Sequence, residues 1–204
     1  GIRDIGVTGV QTCALPICPN PKDVNQGARF QDQGGCVVVE AELLPTPRDE
    51  TWLAESKIPG SRGLGYLRSL CDQSSEVAEG VTPIEIILDN AGLWKVAVRC
   101  RIDHALGRDR AFWFRWSEGQ WIKVTLPDEV ESGNWVWIDP FSGRVAAAGE
   151  GTELSLKERG NEFAIAPASR NLKVDRVVIY QEDRCEKALD PNTSQSAYHR
   201  WASP

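Results

Sequence analysis

Two-residue alternation of apolar and polar side chains dominates the chain from residue 36 onward. Between residues 92 and 102, Trp94, Val96, Val98, Cys100 and Ile102 alternate with Lys95, Ala97, Arg99 and Arg101. That pattern predicts a half-buried strand with one apolar and one largely charged face, and it assigns Trp94 to the core. Ile84, Ile86 and Leu88 alternate with Glu85 and Asp89, and the turn at Asn90-Ala91-Gly92 leads from one strand to the next. Further strands are predicted at residues 36–42, 66–70, 152–156, 162–166 and 172–180, with Gly- and Pro-containing segments between them. Residues 111–116 and 121–126 are joined by Ser117-Glu118-Gly119-Gln120 and read as a hairpin. Phe112, Phe114 and Trp116 share one of its faces, Trp113 and Arg115 the other, and Phe112, Phe114, Ile122 and Val124 are assigned to packing. Residues 134–138 set Trp135 and Trp137 on one face and Val136 and Ile138 on the other, and alternation alone does not say which is inside. About ten short strands without helical periodicity predict an all-β chain, an antiparallel β-sandwich of jelly-roll type.

Aromatic residues change this picture most. Five of the eight tryptophans, Trp113, Trp116, Trp121, Trp135 and Trp137, fall between residues 110 and 138. Such density serves either a core or a surface that stacks on a flat ligand. A carboxylate is equally conspicuous: Asp175 stands among Val174, Val177, Val178 and Ile179, where it is costly unless paired, hydrogen-bonded or metal-bound.

The first 17 residues resemble the in-frame translation of a sequencing adapter, with Gly1-Ile2-Arg3-Asp4, two index codons, then Val7 through Ile17. Such a scar carries no fold information, and the natural start is then missing or displaced. Residues 18–35 read as a linker, 36–182 as one sandwich domain, and 183–204 as a polar, loose tail. The net charge of −6 argues against a nucleic-acid partner, and no apolar run reaches the length of a membrane span. Setting aside Cys13 and Cys18 leaves Cys36, Cys71, Cys100 and Cys185, without a Cys-x-x-Cys pair. Four cysteines allow two disulfides in a secreted protein or four scattered thiols. His104 lacks a nucleophile or metal partner at motif spacing and reads as solvated, and no hydrolase, zinc-protease or phosphate-loop motif occurs.

Five segments in order carry a resemblance. They are Val38-Val39-Glu40-Ala41-Glu42, Ala91 through Arg99, Trp135-Val136-Trp137, Ala148-Gly149-Glu150-Gly151-Thr152-Glu153-Leu154, and Leu172 through Ile179. Together they resemble carbohydrate-binding-module-like, galactose-binding-like β-sandwich domains across residues 36–182. The resemblance implies a non-catalytic module of a larger secreted or periplasmic carbohydrate-active protein, monomeric or part of a longer chain, with a polysaccharide or glycan as partner. It further implies a structural calcium ion held by Glu40, Glu42 and Asp175. Calcium takes about six to eight oxygen ligands, so carbonyls or water would complete that set. Otherwise Glu40 and Glu42 are solvated and Asp175 pairs with an arginine. Sugar-stacking candidates are Trp52 and Tyr66, in or beside loops, and Trp116, Trp121, Trp135 and Trp137. The competing functions are a structural or protein-interaction sandwich and, less favoured, a glycosidase or lyase, whose paired carboxylates no spacing in the chain singles out.

Overall fold

The computed structural model describes residues 28–44, 51–56, 58–72, 80–103, 110–147, 150–196 and 198–200. The adapter-like segment, His104, Ala148, Gly149 and Trp201 lie outside that set. Helix among the described residues is confined to one 3-10 turn, Ala41–Leu43. The first sheet contains β1 (Ala28–Gln31), β5 (Thr82–Ile87), β7 (Ala111–Trp116), β8 (Ile122–Thr125), β11 (Asn161–Pro167) and β13 (Tyr198–Arg200), in the order β13-β1-β5-β11-β7-β8. The second contains β2 (Cys36–Glu40), β3 (Trp52–Ser56), β4 (Gly65–Ser69), β6 (Gly92–Ile102), β9 (Val136–Ile138), β10 (Leu154–Leu156) and β12 (Leu172–Tyr180). Its order is β10-β6-β12-β4-β3, with β2 on β12 and β9 on β6. This is a β-sandwich, as the alternation predicts, with the two apolar faces meeting in one core. Among the described strands every pairing is antiparallel except β1 with β5, which run parallel.

Three departures from the sequence-based expectation bear on function. Residues 28–31, read as linker, form β1, because buried Phe30 adds to the core and Asp32 Oδ1 holds the following turn by accepting Gly35 N–H and Cys36 N–H at 2.7 and 2.9 Å. Trp52, placed in a loop, stands in β3 and is buried, its indole N–H donating to the Gly80 carbonyl at 2.7 Å. Residues 183–196, read as part of a loose tail, fold back with Glu182 over the outer face of the second sheet. Ser196 Oγ accepts from Val38 N–H at 2.9 Å, Arg176 Nη1 donates to the Pro191 and Thr193 carbonyls at 3.0 and 2.9 Å, and Ala188 is buried.

The charged face of β6 is not solvated: Lys95 is buried against Glu182 of the fold-back, and Arg99 against Asp175, the Gly60 carbonyl and the Trp135 ring. Strand β12 is buried on both faces, the fold-back covering Arg176, Val178 and Tyr180 and the Arg62 backbone with Arg99 covering Asp175. Its core-facing residues change phase, since Leu172 and Val174 point inward and so do Val177 and Ile179. One extra residue is needed between the two pairs, and the register with β6 shifts between Val174 and Arg176. Asp175 is the residue inserted there, freed from the strict alternation by the bulge. Cys36, Cys100 and Cys185 carry free thiols.

Candidate functional site

Pairing decides the orientation of the two undecided tryptophans. Strand β9 lies against β6 with Ile138 opposite Val98, Trp137 opposite Arg99 and Val136 opposite Cys100. Val98 and Cys100 belong to the core, so Val136 and Ile138 turn inward beside them and Trp135 and Trp137 face outward. Their fates then differ. Trp137 is tucked under the fold-back, packed against the cluster of Cys36, Val38, Ala97 and Val178 with its indole N–H donating to the Leu189 carbonyl at 2.8 Å. Trp135, half-buried like Trp137, lies instead beside the 59–60 turn, its indole N–H donating to the Pro59 carbonyl at 3.4 Å.

Trp135 is held rather than loose. Its ring meets Tyr66 edge-on, centroids 6.0 Å apart and planes at 69°, and the Arg99 and Arg101 guanidinium carbons lie 5.3 and 5.9 Å from its centre. Guanidinium over indole is attractive through the ring quadrupole. At its edge a side chain on residue 60 would bring a Cβ within 2.8 Å of Trp135 Cδ1, so Gly60, at φ +86°, is what lets the ring lie down.

A ring of paired charges surrounds the two aromatic rings. Tyr66 OH donates to Glu55 Oε2 at 2.7 Å, and Arg68 Nε donates to Glu55 Oε1 at 2.8 Å. Arg101 Nε donates to Asp103 Oδ1 at 2.6 Å, and Lys173 Nζ, which also donates to Asp103, sits 5.8 Å over the Tyr66 ring. The electrostatics follow from this pairing. The Arg68 hydrogen bond holds the Glu55 carboxyl below its ordinary range. Burial raises that of Asp103, but Arg101 and Lys173 together outweigh it and the net shift is downward. Burial first, and then the bond to Glu55, push the Tyr66 phenol up to about 12. Tyr66 itself is buried, so the surface presents the half-buried Trp135 ring, backed by Tyr66 and bordered by fixed, ionised hydrogen-bonding groups.

The implied calcium ligands converge on the loop at residues 60–65. A Cβ on Gly63 would strike Glu42 Oε1 and come within 2.8 Å of Glu40 Oε2, while Arg62 N–H donates to Asp175 Oδ1 at 2.8 Å. Two of the three carboxylates already have counter-charges. Glu40 takes both Arg176 Nε, at 2.9 Å, and Arg176 Nη2, and Asp175 Oδ2 takes Arg99 Nη1 at 2.5 Å. Glu42 Oε1 accepts Leu64 N–H at 2.6 Å and Gly65 N–H at 3.2 Å, leaving Oε2 as the buried oxygen of the set without a partner among the described residues. Such a donor set does not fit a three-carboxylate cage, and among the described residues no group of three or more His, Cys, Asp or Glu side chains is arranged to hold a metal ion. Of the two arrangements that the sequence leaves open, the structure thus has Asp175 paired with an arginine, but Glu40 is buried rather than solvated.

Glu42 gives this corner a pH dependence. Burial, aided by the neighbouring Glu40 charge, pushes its carboxyl from 4.5 up to about 7 against the pull of its backbone hydrogen bonds. The folded state thus binds the proton more tightly than the unfolded one. Its contribution to stability is complete below about pH 4.5 and is lost as pH rises through about 7. Glu42→Gln is expected to flatten the fall in Tm between pH 5 and 8, which a thermal melt at constant ionic strength measures; an unchanged slope would remove Glu42 as its source.

The remaining stacking candidates scatter. Trp52 is core, and Trp116 lies parallel to Phe163 across the β7–β11 pair, at 6.0 Å and 10°, on the inward side. Trp121 lies on the opposite sheet, half-buried beside Trp113 and capped by Arg115 at 4.8 Å. Only Tyr66 and Trp135 of the six meet. Glu55, Arg68, Arg101, Asp103 and Lys173 were not among the candidates drawn from the sequence. The signal for them was the charged phase of β3, β4, β6 and β12, which becomes one patch only when those strands are laid side by side.

No protein-family model matches the sequence, and no curated protein matches it. Solved structures do. A β-(1,4)-mannanase of Podospora anserina described as GH26-CBM35 superposes with a TM-score of 0.53 at 15% identity, over 72% of this chain and 28% of that one. An isomalto-dextranase from Arthrobacter globiformis gives 0.52 at 13% identity, over 72% and 24%. An exo-β-1,3-galactanase from Phanerochaete chrysosporium gives 0.50 at 16%, over 72% and 29%. This chain thus corresponds to less than a third of each of those proteins, and at such identities the likeness is one of fold. Among the described residues no helix is long and apolar enough to cross a membrane.

Proposed function

We propose that the chain is a non-catalytic carbohydrate-binding module, a part of a larger secreted or periplasmic carbohydrate-active protein, and that it takes its glycan on the Trp135 face, with buried Tyr66 backing the ring. The carrying observation is the half-buried Trp135 ring, fixed by Tyr66, Arg99 and Arg101 inside a border of charged donors and acceptors. Pyranose rings present apolar C–H faces to such an indole and hydroxyls to fork-shaped guanidinium and carboxylate groups. A pre-ordered border lowers the entropy that binding costs. The presence of glycan-acting enzymes among the structural neighbours supports the same reading. The carboxylates on this surface do not suit acid catalysis: Glu55 and Asp103 are both held below their ordinary range, whereas a general acid at neutral pH needs the opposite shift.

The test is a glycan array probed with the full chain in calcium and in chelator. Binding to at least one polysaccharide class is expected, retained in Trp121→Ala and lost in Trp135→Ala. Absence of signal in both buffers would sink the reading and favour a structural or protein-contact sandwich. Because arginines already neutralise Glu40 and Asp175, we expect the melting temperature to be the same in both buffers. A rise of several degrees with calcium would instead place the ion at Glu42 and the 60–65 loop.

A further inference from the structure

The fold-back of residues 182–196 brings together two of the four thiols. Tyr180 pairs with Cys36 at the end of β12, and Gln181 N–H then donates to the Gly35 carbonyl at 2.9 Å. A single turn closed by Cys185 N–H to the Gln181 carbonyl, also 2.9 Å, reverses the chain. Arg184 comes down so closely on Gly35 that a Cβ there would lie 2.5 Å from the Arg184 Cβ; Gly35, at φ +91°, is required for this approach. Cys185 thereby packs against the small cluster that contains Cys36, which makes the two thiols neighbours. Cys100 is wholly inside the other, main core, and Cys71 follows β4.

We propose that Cys36 and Cys185 are a disulfide-forming pair that staples the 182–196 segment over the outer face of the second sheet. Cys185 is the more exposed of the two and Cys36 is buried, so the order of events follows. The Cys185 thiolate attacks a small-molecule disulfide such as oxidised glutathione, breaking its S–S bond and releasing one glutathione thiolate. Cys36, its proton passed to solvent, then attacks the Cys185 sulfur and displaces the second glutathione thiolate. Two protein thiols are oxidised by two electrons and one glutathione disulfide is reduced to two thiols. The bond closes a span of 149 positions (185 minus 36), nearly the whole domain, which is where cross-linking restricts the unfolded chain most. Arg176, Trp137 and Val38, which the segment contacts, would be sealed with it.

The experiment equilibrates the full chain in a reduced–oxidised glutathione buffer, alkylates the remaining thiols in denaturant, and maps the peptides. The expected product joins the Cys36 and Cys185 peptides with the loss of two hydrogens, and the Tm of the oxidised form exceeds that of the reduced form by about 5–15 °C. Cys185→Ser, a near-isosteric change at a half-exposed position, should abolish both effects while keeping the reduced-state Tm. The proposal is overturned if both thiols are recovered alkylated, if Cys185 stops at the glutathione adduct, or if either joins another cysteine. A Cys36–Cys185 link without any rise in Tm would equally overturn the stapling role.

Discussion

Arg176→Met is expected to lower the unfolding free energy by about 3–5 kcal/mol, the cost of leaving a buried carboxylate uncompensated. Both Glu40 oxygens rest on this guanidinium and both residues are buried. Burial already raises the Glu40 carboxyl above its ordinary range despite the arginine, so removing the cation pushes it further in the same direction. Methionine fills much of the volume but offers no donor, and the Pro191 and Thr193 carbonyls lose theirs as well. Part of the loss should therefore be local to residues 190–196 and visible as faster amide exchange there. Adding Glu40→Gln removes the orphaned charge, and the double variant should recover a substantial share of the stability, by more than about 1 kcal/mol. Denaturant unfolding of the four proteins of this cycle gives the coupling directly. Strictly additive losses would show that the pair does not act as a unit.

Trp135→Ala is expected to reduce glycan affinity by about 30-fold or more, the loss of roughly 2 kcal/mol associated with an aromatic hot spot. The protein should remain folded, because Trp135 lies on the outer face and its neighbours keep other partners: Tyr66 bonds Glu55, Arg101 bonds Asp103, and Arg99 bonds Asp175. Trp135→Phe keeps an aromatic face and should give an intermediate loss. Titration calorimetry against the strongest array ligand measures both. Affinity unchanged in Trp135→Ala, with binding still present, would move the site elsewhere, and Trp121 with its Arg115 cap would be the next position to test.

Individual residues show how far local pattern reaches. Phe112, Phe114 and Val124 are buried and Ile122 packs on the core, as their phase in the hairpin requires. Asp175 is paired, as its desolvation cost demands. The phase slip from Leu172 and Val174 to Val177 and Ile179 is written in the sequence and marks the bulge. Trp52 stands in a strand rather than a loop because Pro45 and Pro47 break the pattern only before it, and the short strand β3 starts at Trp52 itself.

The sequence by itself determined which side chains share a face, because successive residues of a strand point to opposite sides whatever lies around them. From that came the all-β class, the hairpin, the core role of Trp94 and the equivalence of Trp135 with Trp137. Only the tertiary structure decided which outward face stays open, because that depends on chain far away in sequence. Residues 182–196 cover Trp137, Lys95 and Arg176, whereas Trp135 lies beside the 59–60 turn, and Tyr66 and Lys173 arrive from separate strands to complete its surroundings. Two tryptophans alike in phase thus became one packing residue and one candidate ligand platform, and the difference lies in what covers them.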